Sequence, residues 1–181
     1  MAKIALTDLN SASEEETRIY DLFPSNLVRG LLRINTDVAE GYLALGRALS
    51  GSTELAPRLR EMAILRVGAL CGSVYERMQH IDIAHSVGVT DAQIDAVDSG
   101  DYACLGEVEC VTLQFVDELV ARPKAIESYE AALSALGEQD LATITLLVGH
   151  YMMTARLLET LEIDLDDEAT PWDQWQPSAK K

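Results

Sequence analysis

The sequence predicts a single all-α domain. Apolar residues recur every three or four positions along most of the 181 residues, whereas the alternation typical of β-strands is nearly absent, as are Asn-Gly and Asp-Gly hairpin turns. The chain is 48% hydrophobic and long enough for one well-buried domain. We therefore expect one compact helical domain over residues 1–181, built from eight or nine helices.

Three helices separated by short breaks are predicted in the amino-terminal part of the chain. An acidic helix over residues 13–20 is followed by a break at Phe23-Pro24. Ser25 can cap a second, short helix, because a serine hydroxyl accepts a hydrogen bond from a free amide of the first turn. Asn35 or Thr36 begins a third helix, which ends at a Gly-Ser-Thr sequence.

Two adjacent helices are predicted in the middle of the chain. A proline fits the first turn of a helix over residues 57–71, where its missing N–H costs little. This helix is apolar on most of its surface, so we expect it to lie at the centre of the fold. Gly72 and Ser73 break it, and the next helix, over residues 74–87, stops at Gly88.

Four more helices complete the predicted pattern. A short one is capped by Thr90 and closed by Gly100, and the others cover residues 108–121, 124–136 and 140–163. A tail with two prolines and two tryptophans follows. We expect its tryptophans to dock either on a neighbouring subunit or on their own domain; they are Trp172 and Trp175.

Charge and composition exclude several classes of function. The formal net charge of −16 argues against binding to nucleic acid or to anionic membrane surfaces. The start, "MAKIALTDLN", lacks a long apolar stretch, and no apolar run approaches the ~20 residues of a spanning helix. We expect neither a signal peptide nor a membrane span. Three cysteines without a disulfide pattern favour a reducing, cytoplasmic location.

The residues that can carry acid–base chemistry lie on the two central helices. Glu76 and His80 are four positions apart, so they project from one helix face one turn from each other. Glu61, on the preceding helix, points inward if its apolar neighbours do. A buried carboxylate beside an imidazole forms a proton relay, because burial raises the carboxyl pKa and the carboxylate favours imidazolium. The alternative is an exposed Glu–His pair, with Glu61 interacting only with the helix dipole.

A longer stretch of the sequence points to a known family. "LRINTDVAEGYLALGRALSGSTELAPRLREMAILRVGALCGSVYERMQHIDIAHSVGVTDAQIDAV" resembles the carboxymuconolactone decarboxylase family, which also contains the alkylhydroperoxidase D proteins. The segment "LATITLLVGHYMMTARLLETLEIDLD" resembles the long closing helix of that family. The resemblance covers about residues 26–165. It implies the all-α, alkylhydroperoxidase D-like fold and assembly into homotrimers or hexamers.

The resemblance argues against the peroxidase branch of this family. That branch carries Cys-x-x-Cys before its histidine, and the two thiol positions correspond here to Ser73 and Glu76. Glu61 and His80 match the glutamate and the histidine of the family. Neither a serine hydroxyl nor a carboxylate can form a sulfenic acid or a disulfide. Cys71 has no resolving partner, so we expect it to be packed and unreactive. Antioxidant, peroxiredoxin-type activity is therefore the disfavoured alternative.

The decarboxylase branch lacks the thiol pair and keeps a glutamate four residues before the histidine, as this chain does. The resemblance implies a lyase that removes CO2 from a small lactone acid without a cofactor. His80 is the candidate proton donor, Glu61 would orient or charge it, and Glu76 would position it or take part directly. We expect neither a metal nor a cofactor.

The expected substrate is a small anion and needs a positive contact. Arg66 and Arg77 flank the site in sequence, and either could bind a carboxylate through two hydrogen bonds, with Ser73 as a further substrate contact. Arginines in solvent or at a subunit interface are the alternative.

Other reactive side chains are expected to be structural. His85 faces another side of its helix from His80, and His150 lies in an apolar helix, so we expect core or interface roles for both. Cys104 and Cys110 have no partners of the metal-binding type nearby. A catalytically silent, oligomeric binding protein remains a third possible function.

Overall fold

The computed structural model describes residues 2–122, 124 and 126–167, and within these residues it contains only α-helices and their connections. The predicted all-α fold is confirmed. The tryptophan-containing tail predicted to dock lies outside the described residues. The helices are α1 (Glu14–Tyr20), α2 (Asn26–Leu32), α3 (Thr36–Gly51), α4 (Pro57–Cys71), α5 (Val74–Ser86), α6 (Asp91–Ser99), α7 (Glu107–Ala121) and α8 (Tyr129–Leu161).

The ends of several helices follow the local signals in the sequence. The Ser25 hydroxyl accepts a hydrogen bond from the third amide of α2, at 3.2 Å. The Asn35 side chain does the same for α3, at 2.7 Å. Pro57 is the first residue of α4, and Gly72 ends that helix in the left-handed conformation, with φ 68°. Each end thus satisfies backbone groups that the helix itself leaves without partners.

The carboxy-terminal helices differ from the prediction. The helix expected from residue 124 begins at Tyr129 and continues into the last helix across a kink at Gly137, where φ is 75° and ψ is 168°. Upstream of Tyr129, the amides of Glu127 and Ser128 donate to Oε2 of Glu118, at 2.5 and 3.3 Å. These amides bind a side chain of α7, so the helix starts after them.

The helix α4 lies at the centre of the fold, as its sequence predicts. It is buried at Leu59 and at every position from Glu61 to Gly68, and it packs against α5, α6, α7 and α8. Three adjoining apolar clusters surround it. The first joins α4 to α7 and α8, the second joins α1, α2 and α3 to the end of α8, and the third joins α4 to α6 and α7.

One helix of the described residues, α8, is long and apolar enough to cross a bilayer by length and composition alone. Half of its most apolar stretch is buried inside the fold. The central helix of a globular core has the same composition, and α8 occupies such a position against α4 and α7.

We predict that Gly100→Ala destabilises the protein by about 1–3 kcal/mol. Gly100 has φ 78°, and a Cβ there would lie 2.7 Å from Nη2 of Arg66. Arg66 cannot easily move aside, because it donates to Asp117 at 2.5 Å and to the carbonyl of Val97 at 2.9 Å. Denaturant unfolding measures the loss.

The matched control is Gly149→Ala, at an exposed site inside α8 where a Cβ would have no neighbour within 4 Å. This substitution should stabilise the protein by about 0.5–1 kcal/mol through helix propensity. Equal effects of the two substitutions would contradict the packing at Gly100.

Candidate active site

The turn between α4 and α5 brings two ionisable side chains together inside the protein. The left-handed Gly72 ends α4, and the amide of Ser73 returns to the carbonyl of Gly68 at 2.8 Å. Glu61 on α4 and His80 on α5 are 2% and 4% exposed. Nδ1 of His80 lies 2.8 Å from Oε2 of Glu61. The inward orientation predicted for Glu61 is therefore present, and its partner is the histidine.

The carboxyl group of Glu61 is stabilised in its charged form. Burial acts to raise its pKa, but the hydrogen bond from His80 and the charges of His80 and Arg60 outweigh burial and hold the pKa below its ordinary value. Arg60 donates from Nε to Oε1 of Glu61 at 3.0 Å and from Nη1 to the carbonyl of Ser50 at 2.6 Å. Because an ionised carboxylate only accepts hydrogen bonds, Nδ1 of His80 carries the hydrogen of this contact.

Glu76 is a second buried carboxyl group, with opposite properties. It lies one helical turn before His80 and is 2% exposed, and neither of its carboxyl oxygens has a hydrogen-bond partner within the described residues. Burial, with a smaller contribution from Glu159, raises its pKa to about 9. Glu76 is therefore a neutral carboxylic acid at pH 7. A charged carboxylate and a neutral acid on neighbouring helices form a pair suited to acid–base chemistry.

A narrow, mostly apolar pocket contains this neutral acid. It lies where the first and second apolar clusters meet, since Tyr151 belongs to one and Tyr75 to the other. Its volume is about 30 Å³, which holds about one water molecule. The lining residues are Phe23, Leu27, Tyr42, Leu43, Gly46, Tyr75, Glu76, Gln79, His80, His150, Tyr151 and Thr154.

The pocket wall formed by α8 includes His150, and the sequence did not predict this position for it. His150 stacks on Tyr42 with ring centroids 4.7 Å apart, and it meets Tyr151 edge-on at 5.3 Å. Tyr42 in turn forms a 2.6 Å hydrogen bond with Thr154. The apolar sequence around His150 indicated burial, but it gave no sign of which elements would face the ring.

The chain segment after α8 covers another wall. Oδ2 of Asp166 accepts a hydrogen bond from the Tyr75 hydroxyl and one from Nε2 of Gln79, the latter at 2.9 Å. Oδ1 of the same side chain accepts from the amide of Asn26 at 2.6 Å. Asp166 thus links α2, α5 and the end of the described chain beside the pocket, an arrangement that no local sequence signal indicated.

The two predicted arginine contacts do not line the pocket. Arg66 is buried and donates to Asp117 at 2.5 Å and to the carbonyl of Val97 at 2.9 Å. Arg77 donates from Nε to Asp98 at 3.0 Å and is half-exposed. Both guanidinium groups are engaged by the region around α6 and α7, away from the pocket. Proximity in sequence was therefore a poor guide to their position.

Ser73 and Cys71 flank the turn before Glu76. Ser73 is 3% exposed at the start of α5, and its hydroxyl has no hydrogen-bond partner within the described part of the chain. Ser73 is not among the residues that line the pocket. Cys71 is half-buried, and burial together with Glu76 raises the pKa of its thiol. A raised pKa reduces the thiolate fraction on which thiol reactivity depends.

The remaining reactive side chains lie elsewhere. His85 is exposed and its Nε2 lies 2.8 Å from Asp91. The thiol of Cys110 donates to the carbonyl of Tyr102 at 3.2 Å, and burial raises its pKa. Across the residues that the structure describes, no group of three or more His, Cys, Asp or Glu side chains is arranged to hold a metal ion.

Comparison with known proteins agrees with this fold. Residues 36–118 match the carboxymuconolactone decarboxylase family, a shorter stretch than the 26–165 suggested by the resemblance. No curated protein matches the chain significantly. The fold is similar to that of an uncharacterised peroxidase-related protein from Silicibacter sp. TM1040, with a TM-score of 0.79 and 16% identity over 96% of this chain and 94% of that one.

A second solved structure has the same fold. It is a protein of unknown function from Agrobacterium tumefaciens, provisionally named as the antioxidant defence protein AhpD. Its TM-score is 0.69, with 16% identity over 76% of this chain and 96% of that one. At this identity the likeness concerns the fold alone. The alkylhydroperoxidase D-like architecture expected from the sequence is therefore confirmed.

We predict that Glu76→Gln stabilises the protein at pH 8 by several kcal/mol and has little effect near pH 4. The carboxyl of Glu76 loses its proton near pH 4.5 in the unfolded chain and near pH 9 in the folded one. Between these values the unfolded state binds fewer protons, so the free energy of unfolding of the wild type falls as pH rises. Glutamine mimics the neutral acid and removes this loss.

Urea unfolding between pH 4 and 9 measures the difference. Glu54→Gln, in the exposed loop before α4, is the control and should change the free energy of unfolding by less than about 0.5 kcal/mol at each pH. A wild type that matches Glu76→Gln across the whole range would contradict a neutral Glu76.

Proposed function

We propose that this chain, whose residues 36–118 belong to the carboxymuconolactone decarboxylase family, is a cofactor-free lyase that decarboxylates a small carboxylated lactone or related ring acid. The observation that carries the proposal is the neutral, unpaired Glu76 in a pocket that also contains His80, which is held by Glu61. Such a site donates and receives protons without a metal or an organic cofactor.

The chemistry of decarboxylation matches these groups. When the bond to the carboxylate carbon breaks, CO2 leaves and the electron pair passes into the adjacent unsaturated lactone as an enolate. A hydrogen-bond donor stabilises the enolate oxygen, and an acid then protonates a ring carbon. Glu76 is favoured as that acid because burial keeps its proton in place at neutral pH. His80, oriented by Glu61 through Nδ1, would donate to the developing negative charge from Nε2 in its imidazolium form.

Peroxide reduction through a disulfide is the less favoured function for this pocket. Glu76 occupies one of the two positions at which the peroxidase branch carries a thiol, and Ser73 occupies the other. The nearest cysteine, Cys71, has a raised pKa and is therefore a poor nucleophile. Both solved structures bear names related to peroxidase or antioxidant activity, but their likeness concerns the fold alone.

Binding of a ring-sized acid requires the pocket to widen. A volume of about 30 Å³ admits a water molecule but no lactone, so side chains of the wall must move when substrate enters. The side chains of Phe23, Leu27 and Leu43, which form one wall, are purely apolar. Movement there would leave the pair of Glu61 and His80 intact.

We also propose that the protein is a cytoplasmic homo-oligomer, a trimer or hexamer, as the family resemblance implies. Exposed apolar side chains on α3 and α8 and before α3 support self-association, since water contact with them is unfavourable. They include Ile34, Val38 and Met153, which are 56%, 41% and 47% exposed. Sedimentation of the purified protein measures the mass directly.

We predict turnover of 4-carboxymuconolactone, followed by the loss of its ultraviolet absorbance. Glu76→Gln and His80→Gln should each lower kcat by about 10²–10⁴-fold, the usual contribution of a positioned acid or base. Wild-type kcat should also fall above about pH 9, where Glu76 loses its proton. His85→Gln, an exposed histidine on the same helix, is the matched control and should leave kcat unchanged.

The outcomes separate the three functions. Turnover that survives both pocket substitutions would contradict the roles of Glu76 and His80. Absence of turnover together with dithiol-dependent peroxide reduction would replace the lyase by the antioxidant function. Absence of both would leave a binding protein.

A further inference from the structure

We propose that His150, rather than an arginine, binds the anionic end of the substrate, and that it takes up a proton as the anion binds. This inference rests on the proposed function in taking the ligand to be a small carboxylate. It deepens that function by naming the residue that recognises the carboxylate and by coupling recognition to protonation.

The first support is an unpaired nitrogen on a residue that lines the pocket. His150 is 4% exposed, and its Nδ1 has no hydrogen-bond partner among the described residues. Leaving a buried polar atom unpaired is unfavourable, so each such atom needs an explanation. A ligand atom in the pocket would satisfy this nitrogen.

The second support is that the fold makes room for the ring and fixes it. A Cβ at residue 46 would lie 3.3 Å from Nε2 of His150, so Gly46 is the residue that lets α3 approach this closely. Tyr42 stacks on one face of the imidazole with an interplanar angle of 28°. Tyr151 meets it at 84°, edge to face. A ring held from two sides is ready to bind, because little of its freedom remains to be lost.

The third support is the position of the positive charges. Arg60 is bound to Glu61, Arg66 to Asp117 and Arg77 to Asp98. Among the residues that line the pocket, the side chains that can become cationic are His80 and His150. His80 already faces the carboxylate of Glu61, at 2.8 Å. An incoming carboxylate would therefore find its counter-charge on His150.

The surroundings of His150 explain why it would be neutral before binding and charged afterwards. Burial, with a contribution from His80, lowers its pKa to about 4. The titratable groups around the pocket are Tyr42 from α3, Tyr75, Glu76 and His80 from α5, and Tyr151 from α8 itself, with Glu61 of α4 behind His80 and Asp166 behind Tyr75 and Gln79. The carboxyl group of Glu61 is bound by His80 and Arg60, and that of Asp166 by Tyr75, Gln79 and the amide of Asn26, so both already have partners other than His150. A bound carboxylate places a negative charge beside His150, so the pKa of His150 rises and the ring takes up a proton.

The test uses 2-furoate as the probe, a ring acid of the proposed class, and its uncharged amide, 2-furamide, as the matched ligand. Isothermal titration calorimetry at pH 7 in phosphate and in Tris, whose ionisation enthalpies differ, gives the number of protons taken up. We expect the wild type to take up about one proton per bound furoate and none with furamide. His150→Gln should bind furoate at least tenfold more weakly and without proton uptake. His85→Gln should behave as the wild type does, and thermal melting confirms that each variant folds.

Each other outcome overturns the inference. These outcomes are no binding of furoate by the folded wild type, binding without proton uptake, or uptake that is lost in His80→Gln but kept in His150→Gln. The lactone assay separates this failure from that of the proposed function. Turnover with an unchanged KM in His150→Gln would remove the inference and keep the lyase, whereas proton-coupled furoate binding without turnover would do the reverse.

Discussion

The contact between Glu61 and His80 is the constraint on which the rest of the site depends. It joins α4 to α5 in a region where both residues are at most 4% exposed, so neither can exchange its partner for water. A buried carboxylate is costly unless its oxygens are paired. Glu61 meets this requirement through His80 on one oxygen and Arg60 on the other. The imidazole is thereby held in one orientation at the edge of the pocket, with the hydrogen of Nδ1 directed at Glu61.

The two buried glutamates show how the same residue type acquires two protonation states in one small region. Glu61 accepts from two cationic or polar donors and stays ionised, whereas Glu76 has no donor among the described residues and keeps its proton. In the peroxidase branch of the family, as the resemblance implies, a thiol occupies the position of Glu76. A thiol at this position can be oxidised and reduced, whereas a carboxyl group there can bind and release a proton. The chemical difference between the two branches can thus arise from residues at one turn of one helix.

The parts of the structure that local chemistry determines were predictable from the sequence. Caps at Ser25 and Asn35, the initial Pro57 and the terminal Gly72 each satisfy or remove backbone groups within a few residues, and their helix ends lie where expected. The start of α8 was wrong by five residues, because it depends on Glu118, a residue of another helix. Local patterns contain no information on such a contact.

The same distinction explains which members of the site were foreseen. Glu76 and His80 share one helix face, and the apolar neighbours of Glu61 indicated its inward orientation before the resemblance matched it to the family glutamate. Arg66 was assigned to the substrate because it is near in sequence, but its partner Asp117 is 51 residues away. Whether His150 faces a pocket depends on how α3 and α8 pack, which periodicity does not specify. The catalytic roles of all these residues stay predictions.

The state of Glu76 is the central claim, and carbon-13 NMR of the side-chain carboxyl groups tests it most directly. In protein labelled at the glutamate carboxyl carbons, the signal that disappears in Glu76→Gln identifies this residue. Its chemical shift should follow a titration with a midpoint of about pH 9, as a buried acid without a partner requires. A midpoint between about pH 4 and 5, that of an ordinary glutamate, would contradict the account.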